Sequence, residues 1–119
     1  MSDIEEFGAA RKQANTAVLA KDHLGIKRFF ALDEAAYRDG PLPARVKELL
    51  GLTASLVLRC NDCVDYHLIQ CVEAGWGDEE IVDALNVGLI VGGSIVIPHL
   101  RHAVKSLSEL RHGGVTPPR

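Results

Sequence analysis

The sequence predicts an all-α protein: a single domain of about six helices, packed as a helical bundle that assembles as an oligomer. Apolar residues recur at helical spacing over most of the 119 residues. No segment alternates with a period of two over a useful length, and no repeat of roughly 20 to 50 residues occurs, so strands and solenoids are not expected. The third and fifth helical segments are apolar on more sides than a domain of this size can cover, and such faces are usually buried between subunits.

A chain of this length has room for one domain, 1–119, and buries roughly two-thirds of its unfolded surface. Thirteen basic residues against sixteen acidic ones leave a net charge of -3. No block of like charge stands out, so neither nucleic acid nor a membrane surface is expected as a partner. The start, Met1-Ser2-Asp3-Ile4-Glu5-Glu6, is acidic and amphipathic, unlike a secretory signal, and this points to a cytoplasmic protein. The run from Ala84 to Pro98 lacks charged residues and histidine, but it falls short of the roughly 20 residues a membrane span needs and reads as buried core.

Ser2 and Glu5 form a capping box for a first helix from about Asp3 to Ala20, with Ile4, Phe7, Ala14 and Val18 on one face. A second helix from about Leu24 to Arg38 places Ile26, Phe29, Phe30, Ala36 and Tyr37 in a buried stripe and ends at Gly40-Pro41. Pro43 opens a third, running to about Leu58 and apolar on nearly every side after Glu48. The fourth carries the cysteines and ends at Gly75, with Trp76 closing a glycine C-cap. Asp78 caps a fifth from Glu79 to about Val91, which Gly92-Gly93 should break. Pro98 marks a kink or the start of a sixth helix running to about His112, and the proline-containing tail, 115–119, is expected to be disordered.

The chemistry concentrates in Cys60-Asn61-Asp62-Cys63-Val64-Asp65-Tyr66-His67. In a helix Cys60 and Cys63 (i, i+3) can close on each other, while Cys63 and His67 (i, i+4) are neighbours. A helix beginning near Cys60 puts both thiols in its first turn, where free N–H groups and the positive dipole end favour thiolate. Three cysteines in a chain of this kind do not make a secreted disulfide framework, and a C-x-x-C pair in a reducing compartment points to redox or metal chemistry. Cys71 falls beside the Val64, Leu68, Val72 stripe and is expected in the core. His99 and His102 share a face but read most simply, with Arg101, Lys105, Arg111 and His112, as dipole and solubility features.

These residues, together with Lys47-Glu48-Leu49, Ala74-Gly75, Glu79-Glu80-Ile81 and Gly92-Gly93, resemble the carboxymuconolactone decarboxylase-like family, in its alkylhydroperoxidase D-like branch. The resemblance covers about 25–110. It implies an all-helical fold, a trimer or hexamer (a hexamer being a trimer of dimers), and reduction of hydroperoxides by the cysteine pair without a cofactor. By resemblance, Cys63 is the attacking thiol, Cys60 the resolving thiol, and Glu48 with His67 a proton relay; the partners are a peroxide and a dithiol or protein reductant. Decarboxylase members lack the cysteine pair. The branch has a histidine just before its second cysteine where this chain has Asp62, whose negative charge disfavours a thiolate at Cys63. The leading reading is therefore a thiol-dependent peroxidase or disulfide oxidoreductase, and the rival readings are a zinc module on Cys60, Cys63 and His67 with a fourth ligand such as His102, and a structural oligomer without turnover.

Overall fold

The structure, a computed structural model, describes residues 2–113, so the expectation for the tail 115–119 lies outside it. Among the described residues the chain forms α1 (Asp3–Leu19), α2 (Leu24–Ala36), α3 (Ala44–Val57), α4 (Asn61–Glu73), α5 (Asp78–Gly92), a single 3-10 turn (Ser94–Val96) and α6 (Ile97–Gly113), with no strand. None of these helices is long and apolar enough to cross a membrane.

As its composition implies, α3 is central and packs most extensively on α4 and α5, while α6 closes the bundle over α4. Leu52 and Leu56 of α3, Val64, Leu68 and Cys71 of α4, Ile81 and Leu85 of α5, Val96 of the 3-10 turn, and Ala103 and Leu107 of α6 form one buried core.

The junction between α3 and α4 is tight, and it positions the cysteines. Arg59 has φ of 60°, its N–H donates to the Leu56 carbonyl at 3.0 Å, and the Cys60 N–H donates to the Ser55 carbonyl at 3.1 Å. This is a Schellman turn with arginine where glycine is usual, a conformation costing of order 1 kcal/mol. Cys60 ends that turn and is also the N-cap of α4, so no slack separates the two helices. At the far end of α4, Gly75 (φ 91°) closes the expected motif, with the Trp76 N–H on the Cys71 carbonyl at 3.1 Å.

Three local expectations are corrected. Gly77, not Asp78, is the N-cap of α5, and Glu80 closes it by accepting the Gly77 N–H at 2.9 Å. Asp78 instead takes the Arg111 Nε–H at 2.5 Å, so Arg111 ties the end of α6 to the α4–α5 turn rather than serving only the dipole. The stripes on the first two helices are not core. Ile4 is buried, but Ala14 and Val18 are exposed, and α2 buries none of its residues: Ile26, Phe30 and Tyr37 are half-covered, while Ala36 is exposed and Phe29 and Leu32 are 68% and 70% exposed. Periodicity marks an apolar face without saying what covers it.

Cys71 is fully buried, as expected of a core residue. Burial, and secondarily the charge of Glu48, pushes its thiol up to about 12, whereas a thiol in an unfolded chain ionises near about 8.5. The folded state therefore binds this proton more tightly, and its stabilising effect is complete below about pH 8.5 and is lost as pH rises toward 12. Denaturant unfolding of the disulfide form should show stability declining by up to about 1.4 kcal/mol per pH unit above about pH 8.5. Cys71→Ala should remove that decline below pH about 10, before tyrosines begin to ionise.

Candidate active site

Residues 61–67 put three chemistries on three faces of α4. Val64 turns into the core, Asn61 and Asp65 face α6, and Cys63, Tyr66 and His67 face a cavity between α1, α2 and α4. Cys60 and Cys63 are joined in a disulfide with Cα atoms 5.3 Å apart, and Cys60 Sγ accepts the Cys63 N–H at 3.2 Å. The N-cap position brings Cys60 Sγ over the first turn, where N–H groups lack helical partners. Cys63 is exposed and Cys60 half-buried, so Cys63 is the more accessible residue of the pair.

His67 lies one turn beyond Cys63 and lines the same cavity. Its Nδ1 is 2.8 Å from Glu48 Oε1 on α3, and its Nε2 is 3.4 Å from the Tyr37 hydroxyl at the C-cap of α2. The carboxylate only accepts, so Nδ1 carries hydrogen and donates to Glu48; Nε2 accepts from Tyr37 when the ring is neutral and donates to it when the ring is charged. Both side chains of this pair are largely withdrawn from water, with 9% of His67 and 12% of Glu48 exposed. Tyr66 stacks edge-on to His67 with centroids 5.0 Å apart, and the Arg11 guanidinium lies 3.8 Å above the Tyr66 ring.

Burial pushes the pKa of the Tyr37 hydroxyl up, and the charges of Glu48 and Asp33 add to that effect. Tyr66 is raised by burial and by Glu48, with Arg11 opposing. Both tyrosines therefore remain phenols, and hydrogen-bond donors, at neutral pH.

Gly51 makes the arrangement possible. It sits one turn after Glu48 on α3, and a Cβ there would lie 2.5 Å from His67 Cε1 and 2.8 Å from both His67 Nε2 and the Tyr37 hydroxyl. Only a glycine lets the imidazole lie flat against α3 while reaching Glu48. Sequence reasoning missed both Gly51 and the role of Tyr37. A glycine inside an apolar helix is the available signal for the first; Tyr37 reads from the sequence as part of a buried stripe.

The cavity, about 520 Å³, has Phe7, Ala10 and Arg11 of α1 on one wall and Asp33 and Tyr37 of α2 on another. Asp62 stands beside Cys63 at its rim. The donors proposed for a tetrahedral metal are divided: His67 faces Glu48 and Tyr37, whereas His102 Nε2 is bonded to Asp65 Oδ2 at 2.9 Å on the other side of α4. Among the described residues no group of three or more His, Cys, Asp and Glu side chains is placed to hold a metal ion. His99, bonded to Asn61 Oδ1 at 2.9 Å, and His102 thus pin α6 to α4, a specific role that the dipole reading did not foresee.

The sequence profile of the carboxymuconolactone decarboxylase family matches residues 26–106. The chain belongs to this family. Two crystal structures of a Thermotoga maritima protein resemble it, each with 56% identity: one has a TM-score of 0.88 over 92% of this chain and 96% of the other, the second 0.85 over 90% and 91%. The second describes a carboxymuconolactone decarboxylase family protein with a suggested involvement in antioxidative response. A family member from Legionella pneumophila, solved in its apo form, has 25% identity and a TM-score of 0.72 over 88% of this chain and 96% of the other. An uncharacterized protein of Cupriavidus necator is 32% identical over 103 residues, 87% of this chain and 81% of its own length. The family match leaves out α1, which nevertheless supplies a wall of the cavity over Cys63.

Gly51→Ala tests the packing of the site. Alanine gains up to about 1 kcal/mol in helix propensity, but overpacking costs about 1–3 kcal/mol, so the variant should be less stable than wild type. Gly8→Ala on α1, whose Cβ would meet only Ile69 Cδ1 at an ordinary 3.5 Å, should be more stable. Thermal unfolding of both variants checks this, and equal gains would show that His67 and Tyr37 move aside freely.

Proposed function

We propose that this carboxymuconolactone decarboxylase family member is a thiol-dependent hydroperoxide reductase of the alkylhydroperoxidase D-like kind, working without a cofactor. One observation carries the reading: an exposed Cys63, paired with Cys60, opens into the same cavity as a buried histidine held by a largely covered glutamate. Cys63 is the attacking thiol. His67, oriented by Glu48 through Nδ1, takes the thiol proton; the thiolate attacks the terminal peroxide oxygen, the O–O bond breaks, and Cys63 becomes a sulfenic acid as alcohol or water leaves. Cys60 then attacks the Cys63 sulfur, the disulfide forms and water departs. A dithiol or protein reductant restores both thiols by exchange.

The working unit in this proposal is a homo-oligomer, with a hexamer built as a trimer of dimers the form implied by resemblance. Among the described residues α2 has no extensive packing against any other helix, and Phe29 and Leu32 on α2, with Val87 and Ile90 on α5, stand in solvent. Light scattering at micromolar concentration should give several times the 12.9 kDa chain mass, and a monomer would refute the assembly.

Cys63→Ser should abolish peroxide reduction. Cys60→Ser should permit a single turnover and leave a sulfenic acid on Cys63, detected by mass spectrometry after stoichiometric peroxide. First oxidation at Cys60 in the wild type, or turnover by Cys63→Ser, would reverse the assignment of the thiols; a wild type that reduces no peroxide with any dithiol donor would leave only a structural oligomer.

A further inference from the structure

Reduction of an organic hydroperoxide needs an acid as well as a nucleophile. Breaking the O–O bond of an alkyl hydroperoxide releases a strongly basic alkoxide, and here it would form in a cavity with Asp33 and Asp62 on its walls. Negative charge developing near two carboxylates is disfavoured, so the departing oxygen requires a proton as it leaves. Arg11 holds its protons and is engaged over the Tyr66 ring. Cys63 cannot supply the proton, because it has given its own to become the nucleophile.

Tyr37 meets the requirement by its connections. Tyr37 lines the cavity, and its hydroxyl lies 3.4 Å from His67 Nε2, which is joined through Nδ1 to Glu48. When His67 has taken the Cys63 proton, its Nε2–H donates to the Tyr37 oxygen, and the phenolic hydrogen is left to point elsewhere, into the cavity. The site keeps Tyr37 a phenol through burial and the neighbouring Glu48. Gly51 leaves room for both rings, since a Cβ there would collide with the Tyr37 hydroxyl and with His67 alike.

We infer that Tyr37 is the general acid of the reaction, the last member of a Glu48–His67–Tyr37 chain that returns the Cys63 proton to the leaving oxygen. The step balances. Cys63 loses its proton to His67, the thiolate forms an S–O bond with the terminal peroxide oxygen, and the O–O pair goes to the alkoxide. The alkoxide takes the Tyr37 proton, and the phenolate recovers one from the His67 imidazolium. Thiol and hydroperoxide have become sulfenic acid and alcohol, and Glu48, His67 and Tyr37 are as they began.

This inference rests on the peroxidase reading, and the test separates the two. Reduced wild type and Tyr37→Phe, a variant lacking only one oxygen atom, are mixed with tert-butyl hydroperoxide, whose leaving group is an alkoxide. In parallel they are mixed with peracetic acid, whose leaving group is a weakly basic carboxylate that needs no proton. The rate of Cys63 oxidation is read by rapid alkylation and mass spectrometry. Tyr37→Phe should slow the alkyl hydroperoxide by about a hundredfold or more while changing the peracid rate only about threefold or less. A fold defect or a displaced His67 would slow both alike, and that result, or two rates close to wild type, overturns the role of Tyr37 while leaving the peroxidase reading in place. A wild type inert to both oxidants overturns the reading and the inference together.

Discussion

The site depends on how closely α3 and α4 approach each other. His67 reaches Glu48 at 2.8 Å only because Gly51 leaves a bare patch of backbone beneath the imidazole. The register of that contact is set at the other end, where the left-handed Arg59 turns the chain and hands Cys60 directly to the next helix as its cap. A longer or looser connection would let α4 slide, and a one-residue shift rotates a helix by about 100°, enough to carry His67 off the glutamate.

That geometry lets one helix serve three environments. Its inner stripe joins the core through Val64, Leu68 and Cys71, and its second face presents Cys63, Tyr66 and His67 to the cavity. The third is fastened to α6 by two rungs, Asn61 with His99 and Asp65 with His102, about one turn apart on each helix, four residues along α4 and three along α6. Asp65 is buried, so its bond to His102 offsets a desolvation cost that an unpaired carboxylate would carry in full. The rungs hold that side of α4 in place while the side bearing Cys63 and His67 faces the cavity.

The periphery is built on another principle. Helix α1 is fixed at its start, where Ile4 is buried, leans on α4 through Arg11 over the Tyr66 ring, and is exposed from Thr16 onward. Helix α2 is anchored near its C-terminus, where Tyr37 meets His67 and Lys47 Nζ donates to the Arg38 carbonyl at 2.6 Å. Two walls of the cavity are thus the least supported elements of the chain. A neighbouring subunit against the exposed face of α2 would steady Tyr37, which links the proposed assembly to the chemistry.

The sequence by itself determined the elements and the thiol motif. Helix ends are written in local signals such as Ser2, Gly75 and Pro98, and Cys60, Cys63 and His67 lie within two turns of one helix, where spacing alone dictates proximity. Glu48 was legible only by resemblance, since nineteen residues and a helix break separate it from His67. Tertiary structure decided the rest: that Tyr37, thirty residues from His67, joins its other nitrogen, that Gly51 is a packing requirement, that α1 supplies a wall of the cavity beside Cys63, and that the apolar faces of α1 and α2 remain largely open. The reason is physical. Capping and periodicity act within a turn or two of the chain, whereas the meeting of residues on different helices depends on crossing angles and close approach, which all the packed side chains set together.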